Sequence, residues 1–479
     1  MILETNSQES SEFISSFLFT KGGIATIVIC LLYVALAVCE RQKRKFAVFR
    51  KNKCKQLLSL FFFVYMVLGI LSFSFYKTVL TAKTVDVLPT HDGRYDAVSS
   101  VFYSLYSIRL INVEMKQAVE VSKNIKSSSV TLYDKDSLYV VYVIGESYIK
   151  NHAQLYGYYL PTTPNLCKEK AKGNLFVFDN VVTPFNQTTL VMKNTFCCNS
   201  LAEGEKWSDS PYFPAIFKKA GFDVYFWDAQ RNDDPKAQGI NNFSMYSFYY
   251  NKYFMDHVYK QVSTKLFKHD NDMIDDFAKV PIKEKYNLVM FHLMGQHVDC
   301  TNRYPKSNRF EKFKANSILS KKTYLNTEKK QEIAEYDNAT YYNDYVLKHI
   351  FDMFRHKNAV ILYFSDHGEE VYDYRDSRGR LEMNPTLLKQ GLRYQYEVPF
   401  MIWCSDKYMK RYPQKVASFK KALHRPFETD NLCHVMFNIA GIATSIYKPT
   451  RDILSPKYQR KDRIVGKDYN YDQIVETTK

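Results

Sequence analysis

The 479-residue sequence contains no internal repeat and no low-complexity tract. Hydrophobic residues make up 46% of it and charged residues 24%, so the chain is neither disordered nor fibrous. No nucleic-acid-binding signature interleaves the basic residues, and a nucleic-acid partner is therefore not predicted. The net charge of +16 instead suits a domain that rests on an anionic membrane surface.

Paired C-x-x-C motifs are absent among the nine cysteines, which excludes a structural zinc site of that form. Three cysteines, Cys30, Cys39 and Cys54, lie in or near the apolar N-terminal part. The other six follow it, at Cys167, Cys197, Cys198, Cys300, Cys404 and Cys433. In an oxidising compartment six cysteines permit up to three disulfides, and the spacing leaves their pairing open.

Two long runs without a charged residue occur near the N-terminus, at residues 22–39 and 57–76. Each is close to the roughly 20 residues that an α-helix needs to cross a bilayer, so two transmembrane helices are predicted. A signal peptide is the alternative for the first run. The run lacks a small-residue cleavage site and is followed by the second run, which favours a transmembrane helix.

The loop between the two runs, ERQKRKFAVFRKNKCKQ, carries eight Lys and Arg residues against the single acid Glu40. A short basic loop of this kind is expected in the cytoplasm, which places both chain ends and everything after about Lys77 outside. The sequence is therefore divided into a membrane anchor (1–77), a linker with interfacial helices (78–136) and an extracytoplasmic catalytic domain (137–479). Within the linker, residues 97–120 have a helical pattern.

From Ser137 onward, short apolar runs alternate with longer amphipathic stretches. The runs are at residues 138–144, 224–227, 288–293 and 360–364, and the clearest amphipathic stretches are at 212–221 and 327–354. Buried strands that alternate with helices predict an α/β domain with a mainly parallel sheet flanked by helices.

Polar residues follow each of the four predicted strands. The first leads to Glu146, the second to Gln230, the third to His297, and the fourth to Asp366 and His367. Because ligand sites in open α/β sheets lie beyond the carboxyl ends of the strands, these groups are expected to meet at one edge.

Two carboxylates and an imidazole, from Glu146, Asp366 and His367, are suitable ligands for zinc or manganese. Taken singly, each residue could be an ordinary cap or turn residue, but the set favours a metal site. The stretch 180–190 then offers threonine hydroxyls, among them Thr188 and Thr189. A neutral hydroxyl needs a cation to act as an alkoxide, whereas a Thr-Thr pair in a strand would only reflect β-propensity.

Further motifs accompany these residues. They are G-E-S at 145–147, His152, L-Y-G-Y at 155–158, T-T-P at 162–164, V-T-P at 182–184, Phe196, F-W at 226–227, R-Y-P at 303–305, Y-D-N at 336–338, Asp344, S-D-H-G-E-E at 365–370, R-Y at 393–394 and E-V-P-F at 397–400. With them, the stretch from about Leu138 to Cys404 resembles the phosphoethanolamine transferases. These are membrane-anchored members of the sulfatase and alkaline-phosphatase superfamily, and the resemblance implies that fold.

The resemblance also implies roles for individual residues. Glu146, Asp366 and His367 match positions that hold a catalytic zinc ion, with Mn²⁺ as the alternative. Thr188 matches a nucleophile that touches the metal and becomes phosphorylated during turnover. Thr189 takes that role if the loop is shifted by one residue.

Substrate contacts are implied as well. His297 matches a histidine that holds the phosphoryl group or the leaving oxygen, and Gln230 is predicted to contact substrate. Relatives often have a second histidine shortly after the S-D-H-G-E motif, where this chain has Arg380. Arginine clamps phosphate with a planar fork but does not ligate a metal, so Arg380 is predicted to stabilise charge, and a second metal ion is in doubt.

The expected reaction transfers phosphoethanolamine from phosphatidylethanolamine to an envelope acceptor such as lipid A, the lipopolysaccharide core or another glycan. The expected location is the bacterial inner membrane, with several spans and the catalytic domain in the periplasm. Relatives carry about five transmembrane helices against the two predicted here, so the chain is either a short form or lacks its beginning. A glycerophosphotransferase of the lipoteichoic-acid-synthase type and a non-catalytic envelope scaffold are the alternatives.

Overall fold

The computed structural model describes residues 97–133, 136–230, 245–380, 383, 385–466 and 468–476. The two predicted membrane spans and the basic loop between them lie outside these residues. None of the helices in the described segments is both long and apolar enough to cross a membrane. Residues 97–114 belong to one compact unit, and the described residues from Met115 onward belong to a second unit.

The second unit contains a seven-stranded sheet with the order β3-β11-β8-β2-β7-β5-β6. Its strands are β2 (Leu138–Gly145), β3 (Leu175–Phe178), β5 (Asp223–Asp228), β6 (Tyr259–Val262), β7 (Tyr286–His292), β8 (Ala359–Ser365) and β11 (Phe400–Cys404). Strand β11 is antiparallel to both β3 and β8, whereas the other paired neighbours are parallel. The sheet is therefore mixed, with β11 as the exception to the predicted parallel arrangement.

Helices cover both faces of this sheet. The helices of the described segments, whether or not they lie on the sheet, are α1 (Ala97–Lys123), α2 (Pro164–Lys172), α3 (Thr188–Phe196), α4 (Phe213–Lys219), α5 (Lys252–His257), α6 (Asp270–Phe277), α7 (Thr327–Phe354), α8 (Leu388–Tyr396), α9 (Asp406–Arg411), α10 (Pro413–Ala422), α11 (Leu432–Ala440) and α12 (Tyr471–Glu476). The structure confirms the helices predicted at residues 97–120, 212–221 and 327–354.

All four predicted strands are present, as β2, β5, β7 and β8. Each residue of β2 is buried, because helices lie on both sides of the sheet. Tyr139, Val141 and Val143 of β2 pack into the core that contains α7. On the opposite face, Tyr142 packs against Phe196 of α3 and Phe213 of α4. This two-sided burial explains why the strands appear in the sequence as continuous apolar runs.

The described residues of the second unit also form four two-stranded sheets. They pair β1 (Val130–Leu132) with β13 (Ile442–Thr444), β4 (Val181–Val182) with β12 (Phe427–Glu428), β9 (Glu370–Val371) with β10 (Arg378–Gly379), and β14 (Ile464–Val465) with β15 (Tyr469–Asn470). Strand β1 lies within the segment predicted as a linker, so that part of the segment is paired with the C-terminal region.

The strand register brings the predicted site residues to one edge of the sheet. Gly145 of β2 lies beside Ser365 of β8, and His292 of β7 lies between Ile144 and Asp228. The residues that follow these positions therefore leave the sheet side by side. This arrangement confirms the prediction that the strand ends converge.

Phe196 fixes the end of α3 in the core. Its side chain is fully buried and contacts the rings of Tyr142, Tyr212, Phe213, Phe226, Phe248 and Tyr249. The helix that begins at Thr188 is thus anchored at its far end by aromatic packing.

We expect Phe196→Ala to lower the free energy of unfolding by about 3–5 kcal/mol, because it removes a buried ring and leaves a cavity. Chemical denaturation of the purified chain measures the loss. Tyr133→Ala is the control, since Tyr133 is 81% exposed and its removal should change stability by less than about 0.5 kcal/mol. Equal stability of the two variants would contradict this packing role.

Candidate active site

Three potential metal ligands meet at the carboxyl ends of β2 and β8. Glu146 follows β2, and Asp366 and His367 follow β8. One ligand atom from each residue lies within 4.8 Å of the other two, and all three residues are buried. The Nε2 atom of His367 is 3.3 Å from Oε1 of Glu146 and 3.1 Å from Oδ2 of Asp366.

Thr188 brings a hydroxyl to the same point. It donates a hydrogen bond to Oε2 of Glu146 at 3.1 Å, and its Oγ1 is 3.2 Å from Nε2 of His367. Thr188 is the first residue of α3, so the Thr-Thr pair opens a helix and does not lie in a strand. The hydroxyl, two carboxylates and an imidazole therefore face one small volume.

Hydrogen bonding orients the ring of His367. Its Nδ1 lies 2.8 Å from the carbonyl oxygen of Gly368, which accepts a hydrogen bond from the ring. In the neutral imidazole this contact leaves the lone pair on Nε2, which faces the other groups. When the ring is neutral, this orientation offers Nε2 to a metal ion.

The two buried carboxylates of the cluster differ in pKa. Burial opposes the ionisation of Glu146, but the charge of His367 and a hydrogen bond to it hold the pKa of Glu146 well below its usual range. Burial and the neighbouring Glu146 charge raise the pKa of Asp366 to about 7. A cation between these two buried carboxylates would offset the repulsion between their charges.

The residues present fit a divalent metal ion. They offer two carboxylate oxygens, an imidazole nitrogen and a hydroxyl oxygen, which is a suitable donor set for zinc. Oδ2 of Asp366 is buried and lacks a well-aligned hydrogen-bond donor, as expected for an atom that would ligate a metal. A bound metal ion would therefore explain why Oδ2 of Asp366 is buried without a well-aligned hydrogen-bond donor.

Arg380 and His297 lie around the same cluster. Arg380 contacts the His367 ring, donates to the carbonyl oxygen of Asn186 at 3.3 Å and has its Nε 3.6 Å from Glu369. His297 is buried within electrostatic range of Glu146 and Arg380, and burial lowers its pKa to about 3. A ring with such a pKa is neutral at pH 7, so it can accept or donate a hydrogen bond.

Comparison with known proteins identifies the domain. The sulfatase family model matches residues 139–442, which is more than half of the chain. The chain belongs to the sulfatase family. The match also identifies the mixed sheet and its flanking helices as an alkaline-phosphatase/sulfatase-like α/β domain.

Individual relatives support a narrower group within this family. Phosphoethanolamine transferase EptC of Escherichia coli is 26% identical over 99% of this chain and 80% of the relative. The Kdo(2)-lipid A phosphoethanolamine 7''-transferase of the same organism is 28% identical over 57% of this chain and 46% of the relative. These sulfatase-family relatives confirm the predicted resemblance to phosphoethanolamine transferases and the class of enzyme that it implied.

A solved structure gives the same result. The C-terminal periplasmic domain of EptC from Escherichia coli, crystallised in complex with Zn, has a TM-score of 0.61 and 28% identity to this chain. The alignment of the two structures covers 72% of this chain and 95% of that domain.

Gln230 lies beside Glu146 at the sheet edge, where the sequence predicted it. Its side chain is buried and donates to Oε2 of Glu146 at 3.0 Å and to the carbonyl oxygen of Leu293 at 2.9 Å. It therefore orients the Glu146 carboxylate in this sulfatase-family site. A direct contact between Gln230 and substrate stays a prediction.

Two neighbours of Glu146 have structural roles that sequence reasoning missed. Ser147, with a φ of 55°, donates from its hydroxyl to Glu146 at 2.9 Å and from its backbone N–H to Asp366 at 3.1 Å. Gly295 lies so close that an added Cβ would be 2.7 Å from the carbonyl oxygen of Glu146. Ser147 stands in the G-E-S motif, and Gly295 stands two residues before the predicted site residue His297, which was the available signal.

We expect Gly295→Ala to displace Glu146 and to destabilise the chain. Its φ of +50° costs an alanine about 1–2 kcal/mol, and the overlap with Glu146 adds to that cost. Denaturation and a crystal structure of the variant measure the two effects. Gly204→Ala is the matched control, because Gly204 has a φ of +69° but open space around its Cβ position. Equal losses in the two variants would show that the close approach to Glu146 has no consequence.

Proposed function

We propose that the chain transfers phosphoethanolamine from phosphatidylethanolamine to a lipid or glycan of the cell envelope, with Thr188 as nucleophile. The observation that carries the proposal is the position of the Thr188 hydroxyl, within 3.2 Å of both Glu146 and His367. Its contacts with these residues favour Thr188 over Thr189. The names of the relatives supply the transferred group, phosphoethanolamine, and the geometry of this chain supports Thr188 as the nucleophile.

The reaction takes two steps. In the first, Oγ1 of Thr188 attacks the phosphorus of phosphatidylethanolamine and the bond to the glycerol oxygen breaks. The proton that the Thr188 hydroxyl loses ends on that oxygen, so diacylglycerol leaves as an alcohol. In the second, the oxygen of an acceptor hydroxyl attacks the phosphorus, the bond to Thr188 breaks, and the acceptor's proton ends on Oγ1 of Thr188. The chain thus passes through a phosphothreonine and returns to its starting state.

The surrounding residues have separate tasks in this proposal. Glu146, Asp366 and His367 would hold a zinc ion, with Mn²⁺ as the alternative. The ion would lower the pKa of the Thr188 hydroxyl and neutralise charge on the phosphoryl group. Arg380 pairs with phosphoryl oxygens through its guanidinium group, and neutral His297 holds the phosphoryl group or the leaving oxygen by a hydrogen bond.

The location follows from the substrate. A phospholipid donor stays in the bilayer, so the proposal places the chain in the bacterial inner membrane, with several spans and its catalytic domain in the periplasm. The solved relative, described as a periplasmic domain, supports this location. Lipid A is the acceptor class named by one relative, and the lipopolysaccharide core and other glycans are further acceptors.

Thr188→Ala should lower diacylglycerol release from phosphatidylethanolamine by roughly 10⁴-fold or more, because no other group takes over the nucleophile's role. Mass spectrometry of the wild-type chain should find the phosphoethanolamine group on the peptide that contains Thr188. Thr189→Ala is the control and should retain activity. Modification of Thr189, or an active Thr188→Ala variant, would refute the assignment, and glycerophosphate on the peptide would favour the glycerophosphotransferase alternative.

Removal of the metal with a chelator should abolish diacylglycerol release, and added zinc should restore it. Asp366→Asn should weaken zinc binding by at least about 100-fold, because it removes a ligand charge from a buried site. Asp344→Asn is the control, since this buried carboxylate binds Asn165 and Leu166 instead. Equal zinc affinity in Asp366→Asn and the wild type would contradict the proposed ligand set.

A further inference from the structure

Gln395 connects the two segments that carry the site. It is fully buried on α8, and its backbone oxygen accepts a hydrogen bond of 2.9 Å from the N–H of Gly368, the residue after His367. Its side-chain Oε1 accepts a bond of 2.5 Å from Asn186, two residues before Thr188. One residue therefore holds both the metal-ligand loop and the loop that leads to the nucleophile.

Other contacts hold α8 against the same two loops. The N–H of Thr183 donates to the carbonyl oxygen of Tyr396 at 2.9 Å. Gly368 packs so tightly on Tyr394 that an added Cβ would lie 2.0 Å from its carbonyl oxygen. The end of α8 is thus the common support of both loops.

An ion pair between the buried Glu370 and the half-buried Arg375 fixes the orientation of the Gln395 amide. Its Nε2 donates to Glu370 at 2.6 Å, and Glu370 also binds Arg375 through two bonds of 2.7 Å and the Tyr374 hydroxyl at 2.5 Å. The Glu370 carboxylate only accepts, so the NH₂ group of Gln395 faces it and the oxygen faces Asn186. A flipped amide would lose both bonds.

We propose that Gln395 is a positioning residue for phosphoryl transfer: it sets the distance between the Thr188 hydroxyl and the ligands Glu146 and His367. This inference rests on the proposed function. Gln395 acts through Asn186 and Gly368, and Arg375 and Glu370 hold it in one orientation. Because the reacting atoms need alignment, a shift of about 1 Å in the nucleophile loop reduces the rate by roughly 100-fold.

The experiment measures single-turnover diacylglycerol release from phosphatidylethanolamine in detergent micelles, with the full chain loaded with zinc. Gln395→Met removes both side-chain bonds at similar volume, and Asn186→Ala removes only the link to the nucleophile loop. Each should lower the rate constant about 10- to 100-fold. Half-saturation by the donor and the zinc content should stay unchanged. The double variant should lose little more than either single variant, since both remove the same bond.

The control is Asn174→Leu. Asn174 is another buried amide that bridges two acceptors, Cys404 and Asp406, at the opposite edge of the sheet. This variant should be destabilised but should keep its rate constant. Unchanged rates in Gln395→Met and Asn186→Ala would overturn the inference, as would a loss of zinc that accounts for the slower rate. If Gln395→Met does not fold, the rate of Asn186→Ala decides.

The outcomes also separate the inference from the proposed function. An active wild-type chain with unaffected variants refutes the role of Gln395 and leaves the proposed function intact. A zinc-loaded wild-type chain that releases no diacylglycerol refutes the proposed function, and the role of Gln395 falls with it.

Discussion

The burial of two carboxylates side by side is the constraint on which the site depends. Glu146 and Asp366 leave neighbouring parallel strands at paired positions, and neither is exposed to solvent. Like charges in a buried environment repel each other unless a cation or hydrogen bonds offset the repulsion. Ser147 donates to both carboxylates, and Gln230 donates to Glu146. Donors surround the pair on the protein side, and a metal would complete the balance.

Thr188, the proposed nucleophile, lies beside this pair because it is the first residue of a helix. Thr188 opens α3, and the first N–H groups of a helix have no partners within it. A phosphoryl group on Thr188 would therefore lie near the positive end of the helix dipole, which favours its negative charge. Phe196 anchors the other end of the same helix among six rings. One short helix therefore carries the proposed nucleophile at its first residue and is held in the core by the aromatic ring at its last residue.

The sequence predicted those parts of the molecule that depend on local patterns. Strands β2, β5, β7 and β8 are continuous apolar runs because helices cover both of their faces, and each run led directly to a site residue. The reversed direction of β11 could not be predicted, because its run looks like that of a buried parallel strand. The helical start at Thr188 was also hidden, since β-branched residues suggest a strand. The role of Gln230 depends on its neighbours in space, which its position after β5 does not reveal.

The hydrogen-bonded side chains beside the site show why contacts between residues distant in sequence are not predicted from local patterns. Arg375, Glu370, Gln395 and Asn186 are spread along the chain, and each is an ordinary surface residue by type. In the fold, the donors and acceptors alternate from Arg375 to Asn186, so a single orientation of each group satisfies all of them. A buried carboxylate that loses a donor is costly, and the chain of bonds therefore resists displacement at any member. Apolar contacts are not directional and would let the loops that contain Gly368 and Asn186 slide past each other. The hydrogen bonds of Gln395 are directional and fix the separation of these loops.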